Sequence, residues 1–136
     1  RCFSAVFRPI VDDTKSFIYV KQRDMAQAKR AVQIIAKRNP GRSYQLINEK
    51  EMRFLVWEYQ LIGFNNGEFD DYMLQAILDG KSVREVYELA QLVVQHKVRL
   101  WTQGHKAVFG TFDIRSVVPL NISLKQLASE MGYRVW

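Results

Sequence analysis

Asp70 and Asp71 stand side by side in "GFNNGEFDDYML", residues 63–74, just where an apolar run gives way to a helical pattern. Two adjacent carboxylates at such a point have two readings. A metal-assisted hydrolase needs hard oxygen ligands held rigidly at the edge of a sheet. A helix start also favours aspartate, because a carboxylate accepts the free N–H groups of the first turn. The pair can divide the work, with Asp70 for chemistry and Asp71 as the cap, or both can be turn and cap residues. Asp113, alternating out of an apolar strand pattern, is either a second acid near the site or a carboxylate paired with Arg115 or Lys106. His96 and His105 lie nine residues apart with a single cysteine in the chain, which is poor zinc spacing. "GKS" at 80–82 lacks the upstream glycine of a phosphate loop and reads as a helix stop followed by a helix start.

Several elements must position these residues. "CFSAVF" and "SFIYVKQ" form a β-hairpin across "RPIVDDTK". "DMAQAKRAVQIIAKR" is a helix capped by Asp24 and ended by "NPGRS". On it Arg30 and Lys37 are seven apart and share a face. Asn48 with Glu51 opens a helix over 49–57, and "YQLIGF" is a buried strand delivering the loop that carries Asp70. In open α/β sheets ligands collect at that carboxyl edge. "DYMLQAIL" is the next helix, stopped at Gly80. Ser82 with Glu85 opens "VREVYELAQLVVQ", whose apolar stripe is Val83, Val86, Tyr87, Ala90, Val93 and Val94. "KAVFGTFDI" is a further strand, and Ser123 with Gln126 opens a last helix. The alternation of strands and long helices indicates a single α/β domain over 1–136.

The charge is uneven. Residues 1–53 hold 12 Lys/Arg against 5 Asp/Glu, residues 54–90 hold 2 against 7, and residues 91–136 hold 6 against 2, for a total of +6. An acidic middle between basic flanks suits a metal-dependent site that handles a polyanion, as well as a mixed solvated surface. Uncharged runs are too short for a membrane span, and no signal peptide is visible. The lone Cys2 fits a reducing compartment. Arg1 in place of methionine, and an end within an apolar stretch, suggest a piece of a longer chain.

"GFNNGEFD" resembles the second exonuclease motif of the DEDD 3′–5′ proofreading exonucleases of family B-like, bacteriophage-type DNA polymerases. Asn65, Phe69 and Asp70 fall on its asparagine, aromatic and aspartate. "EKEMRFLVWEYQLIGFNN" looks like the helix and strand before that motif, "FDDYMLQAILDGKSVREVYELAQLVV" like the helices after it, and "TFDIRSVVPLNISLKQLASEMG" like the later strand and helix. The resemblance spans roughly residues 49–133. It implies an RNase H-like fold, a mixed five-stranded sheet flanked by helices, here without its first strand. It also implies hydrolysis assisted by two Mg²⁺ or Mn²⁺ ions at the 3′ end of single-stranded DNA. Asp70 is then a catalytic metal ligand, Asn65 orients the terminal nucleotide or braces the loop, and Phe69 packs beneath the site. The basic helix over 24–38 lies outside the resemblance, and its Arg30 and Lys37 are expected from their charge and shared face to contact phosphates. The first motif, Asp-x-Glu, does not occur in the chain, nor does the third, so the other ligands lie outside this segment. A fused or associated polymerase and the cytoplasm of a bacterium or phage-infected host follow from the same resemblance. The competing expectation is a non-catalytic nucleic-acid-binding or assembly module that keeps the fold. Tyr19, Phe64, Phe69 and Trp101 are the aromatics available for base stacking.

Overall fold

The computed structural model describes residues 2–118 and 123–126. It is an α/β structure containing a mixed sheet and, between residues 25 and 94, four α-helices. β1 (Phe3–Phe7) pairs antiparallel with β2 (Lys15–Lys21), setting Phe7 opposite Phe17 and Phe3 opposite Lys21. Asp12 folds the connection by accepting from the Thr14 amide at 3.1 Å and its hydroxyl at 2.5 Å, an Asx turn. β3 (Ser43–Ile47) then runs parallel to β2. Parallel neighbours need a crossover, and α1 (Met25–Arg38) provides it.

Alternation along β2 sends its residues into two layers. Ser16 and Ile18 are buried on the side that α1 covers through Ala28. The Ser16 hydroxyl accepts from Arg8 Nε at 3.0 Å, so this buried polar group is satisfied. Phe17 and Tyr19 face the other way, into the main core.

That core is built from the helices that follow. α2 (Glu49–Glu58) begins one residue after β3 with a complete Asn48/Glu51 capping box. α3 (Asp70–Leu78) ends in a Schellman motif: Gly80 adopts φ +84°, its amide donates to the Ile77 carbonyl, and the Lys81 amide donates to the Ala76 carbonyl. α4 (Val83–Val94) starts two residues later on a second capping box, Ser82 with Glu85. Met52, Val56, Ile77 and Leu100 are fully buried where these helices meet. Each such side chain contributes about 1.5–3 kcal/mol through removal from water.

β4 (Leu61–Gly63) and β5 (Thr111–Asp113) pair parallel in a separate two-stranded sheet, with Gly63 opposite Asp113. The five strands therefore make two sheets among the described residues, in place of the single mixed sheet, short of its first strand, that was expected. "YQLIGF" and "KAVFGTFDI" each contribute only three paired residues, and Ile62 is exposed. The strand at "SYQLI" was not expected. In α4 only Val86 of the proposed stripe is fully buried, while Tyr87 and Val94 are exposed. Ser123 and Gln126 make the expected reciprocal capping bonds at 2.9 and 3.1 Å. The body of that last helix lies outside the described residues.

Candidate functional site

The short parallel pair β4–β5 brings two distant stretches to one edge. Beyond Gly63 the chain turns through residues 64–69 into α3, and beyond Thr111 comes Asp113. The Asp113 carboxylate binds that turn. Oδ1 accepts from the Asn65 amide at 2.7 Å and from the Arg115 amide at 2.9 Å, and Oδ2 accepts from the Gly67 amide at 3.0 Å. Asn65 takes the left-handed conformation, φ +58°, which an asparagine tolerates better than most residues and which turns its amide inward. Gly67 leaves room for the carboxylate, since a Cβ there would come within 3.1 Å of Asp113 Oδ2. The expected ion-pair role of Asp113 with Arg115 or Lys106 gives way to an anchoring role, played on backbone N–H groups. The Arg115 guanidinium stands 5.8 Å from the centre of the Phe64 ring, a cation–π distance.

Asp71 does not cap α3. The N-cap position is Phe69, which makes no side-chain capping bond, and the Asn66 carbonyl accepts the Asp71 amide at 2.9 Å instead. The Asp71 side chain turns inward and is buried. Asn66 Nδ2 donates to its two oxygens at 3.1 and 3.2 Å and to Thr111 Oγ1 at 2.7 Å, and the Thr111 hydroxyl lies 3.2 Å from Asp71 Oδ1. The reason for the difference is that Asp71 is the second residue of the helix and not its N-cap, and Asn66 and Thr111 supply its carboxylate with donors on the inner side. Buried Asn66 joins the strand, the turn and the helix. Its Oδ1 has no hydrogen-bond partner and sits where a Cβ on Gly63 would meet it at 2.7 Å.

Asp70 is exposed and its carboxylate makes no hydrogen bond or ion pair among the described residues. Although it reaches solvent, the surrounding turn withholds part of its hydration. This desolvation, together with repulsion from Asp113, raises its carboxyl above the ordinary aspartate value. Asp71 is also raised, chiefly by burial; its bonds to Asn66 and Thr111 oppose the shift, and Asp70 and Asp113 add to it. Three carboxylates thus gather at one sheet edge, with a single one, Asp70, uncommitted.

The other expected site residues are placed as follows. Asn65 is exposed and holds the turn through its backbone amide, while Phe69 is half-buried against the core. Arg30 and Lys37 are exposed on α1, which packs on β2 and β3. Tyr19 is buried in the core, which removes it from base stacking, whereas Trp101 is exposed. Asn66 and Thr111 were missed by the sequence reading. The available signals were the Asn-Asn doublet before Gly67 and the Thr-x-Asp alternation, which puts Thr111 and Asp113 on one face of β5. Among the described residues no three His, Cys, Asp or Glu side chains are arranged to hold a metal ion. Asp70 fits as one hard oxygen ligand of a larger donor set, since a cation would relieve the repulsion it suffers. It does not make a site alone. No helix among the described residues is long and apolar enough to cross a membrane. Comparison with protein-family models, with curated proteins and with solved structures finds no match for this chain.

Proposed function

We propose that the chain is part of a metal-dependent 3′–5′ exonuclease acting on DNA ends, in a proofreading role beside a fused or associated polymerase. One observation carries this reading. An uncommitted aspartate, Asp70, is held at the carboxyl edge of a parallel strand pair beside Asp71 and Asp113, with its proton affinity raised by desolvation and by repulsion from Asp113. The motif resemblance around Asn65, Phe69 and Asp70 supplies the reaction class. A bound Mg²⁺ or Mn²⁺ contributes Lewis acidity and an activated water. The chain's own contribution is positional. Asp113 and Asn66 fix the 64–69 turn, the turn fixes the start of α3, and α3 presents Asp70. Phe69 fills the space below, and Asn65 lies at the exposed rim to meet the terminal nucleotide.

The second reading, a nucleic-acid-binding or assembly module without catalysis, is favoured by the lack of three grouped metal ligands among the described residues. Digestion of a 3′-labelled single strand separates the two. The 136-residue chain should not cleave. A longer chain with the natural flanking segments should cleave in Mg²⁺, and Asp70→Ala in that chain should abolish cleavage with the fold intact. Full activity of the Asp70→Ala long chain defeats the role given to Asp70, and inactivity of the unmutated long chain defeats the enzyme reading.

A further inference from the structure

We infer that the outer face of α1 is a docking surface for the sugar–phosphate backbone of duplex nucleic acid, separate from the acidic edge. The inference takes from the proposed function only that the partner is nucleic acid. α1 is 14 residues long and contains Lys29, Arg30, Lys37 and Arg38 with no acidic residue. All four cations are exposed, and none has an ion-pair or hydrogen-bond partner among the described residues.

Helix stability explains only half of this pattern. Lys37 and Arg38 in the last turn complement the negative end of the helix dipole. Lys29 and Arg30 gain nothing of that kind, the first turn holds no acid, and no i,i+4 partner neutralises them. Elsewhere the chain does supply such partners: Arg53 with Glu49, Lys81 with Glu85 and Arg84 with Glu88. Arg23, Lys50, Lys97, Arg99 and Lys106 also lack a side-chain partner among the described residues, but only α1 gathers four such cations on one helix.

Geometry selects the occupant. At 1.5 Å per residue the 29–30 and 37–38 pairs lie roughly 12 Å apart along the axis, comparable with the ~12 Å width of a duplex major groove. α1 carries no aromatic residue, so it offers no base-stacking platform for a single strand. Ala28 packs against β2 and β3, and of the exposed apolar residues Met25, Ile34 and Ile35 the first two fall on opposite sides of the helix, which leaves no continuous apolar stripe to enter a membrane. The sheet separates α1 from the core layer that bears the acidic edge. A duplex held here leaves that edge free for a strand end.

The test is fluorescence anisotropy on the 136-residue chain in EDTA, with a labelled duplex and the matching single strand, across a salt series. Replacing Lys29, Arg30, Lys37 and Arg38 by Gln should weaken duplex binding at least tenfold at low salt. It should also flatten the log K against log salt slope by about two to four units, near 0.9 for each phosphate that is no longer neutralised. A charge-matched variant, Lys50, Lys81, Arg84 and Lys106 to Gln, should move the slope by less than one unit. An unchanged slope, equal weakening in the two variants, tighter single-strand than duplex binding, or displacement by polyglutamate or anionic phospholipid vesicles as effective as by duplex would each overturn the inference. Binding in EDTA is read without hydrolysis, so a failed nuclease assay and a failed α1 surface are told apart.

Discussion

Asp70 and Asp71 are neighbours with opposite lives. One is exposed and unbonded, the other buried and held by Asn66 and Thr111. Both carboxyls are raised above their unfolded values. The sign of the consequence follows by linkage: a raised carboxyl binds a proton more tightly in the folded state, so each stabilises the fold as pH falls toward the ordinary carboxylate range. Asp12 and Glu85 act in the opposite sense. Their carboxyls are lowered, Asp12 by its bonds from Thr14 and Glu85 by those from Ser82, so their contribution is lost only as pH falls through the lowered values. The urea midpoint should therefore rise on mild acidification before it falls. In Asp70→Asn the initial rise should shrink, and the midpoint at neutral pH should increase by the equivalent of roughly 0.5 kcal/mol after solvent screening. A neutral-pH midpoint lower than that of the parent would show that Asp70 has a stabilising partner after all. Asp113→Ala, by contrast, removes an acceptor from three amides and should cost about 2 kcal/mol by urea denaturation, with Asp113→Asn in between. Asp70 stands out in the sequence because motif spacing marks it. The anchoring part of Asp113 did not, because its partners in the turn are backbone groups 46 and 48 residues away, which side-chain chemistry does not announce.

Among the elements, helices were far more legible than strands. Asp24, Asn48 and Ser82 each open a helix where expected, because capping is a local bond between residues two or three apart. "SYQLI" escaped notice although Ser43 to Leu46 alternate, because the run is only five residues long, squeezed between Arg42 and the Asn48 cap, and the pairing with β2 is what makes it a strand. "YQLIGF" and "KAVFGTFDI" looked longer than they are because apolar content was read as pairing. Phe109, for instance, is buried in the core ahead of β5. The two-residue step from Gly80 to Ser82 makes a sharp test of the capping assignment. Ser82→Ala should cost about 1 kcal/mol, seen as a lower Tm. At the other end of the core, Gly63→Ala drives a methyl group toward Asn66 Oδ1, the buried oxygen with no partner. It should destabilise by about 1–3 kcal/mol. Unaltered stability there would mean that the Asn66 side chain moves freely, and with it the turn that carries Asp70.

At the scale of the whole molecule, two layers share β2: α1 covers one side, and the helices α2, α3 and α4 build the core on the other. The basic first third and the acidic middle of the sequence become a cationic helix on one layer and a carboxylate edge reached through the other. That separation was only partly readable, since a charge count locates excess along the chain and not across a sheet. Removing fully buried Ile77 from the shared core should cost about 2–5 kcal/mol as Ile77→Ala, and the acidic edge should be lost along with α3.

β4 and β5 join residues about fifty positions apart, and α3 and α4 lie inside the loop they close. Such a closure has little local encouragement: three residues a side, plus the Asp113 bonds to the 64–69 turn. It belongs late in folding, after the capped helices have packed and shortened the search. Stopped-flow measurement of Asp113→Ala should accordingly show faster unfolding with a nearly unchanged refolding rate. The edge that presents Asp70 is then the last part of the fold to form and the first to open.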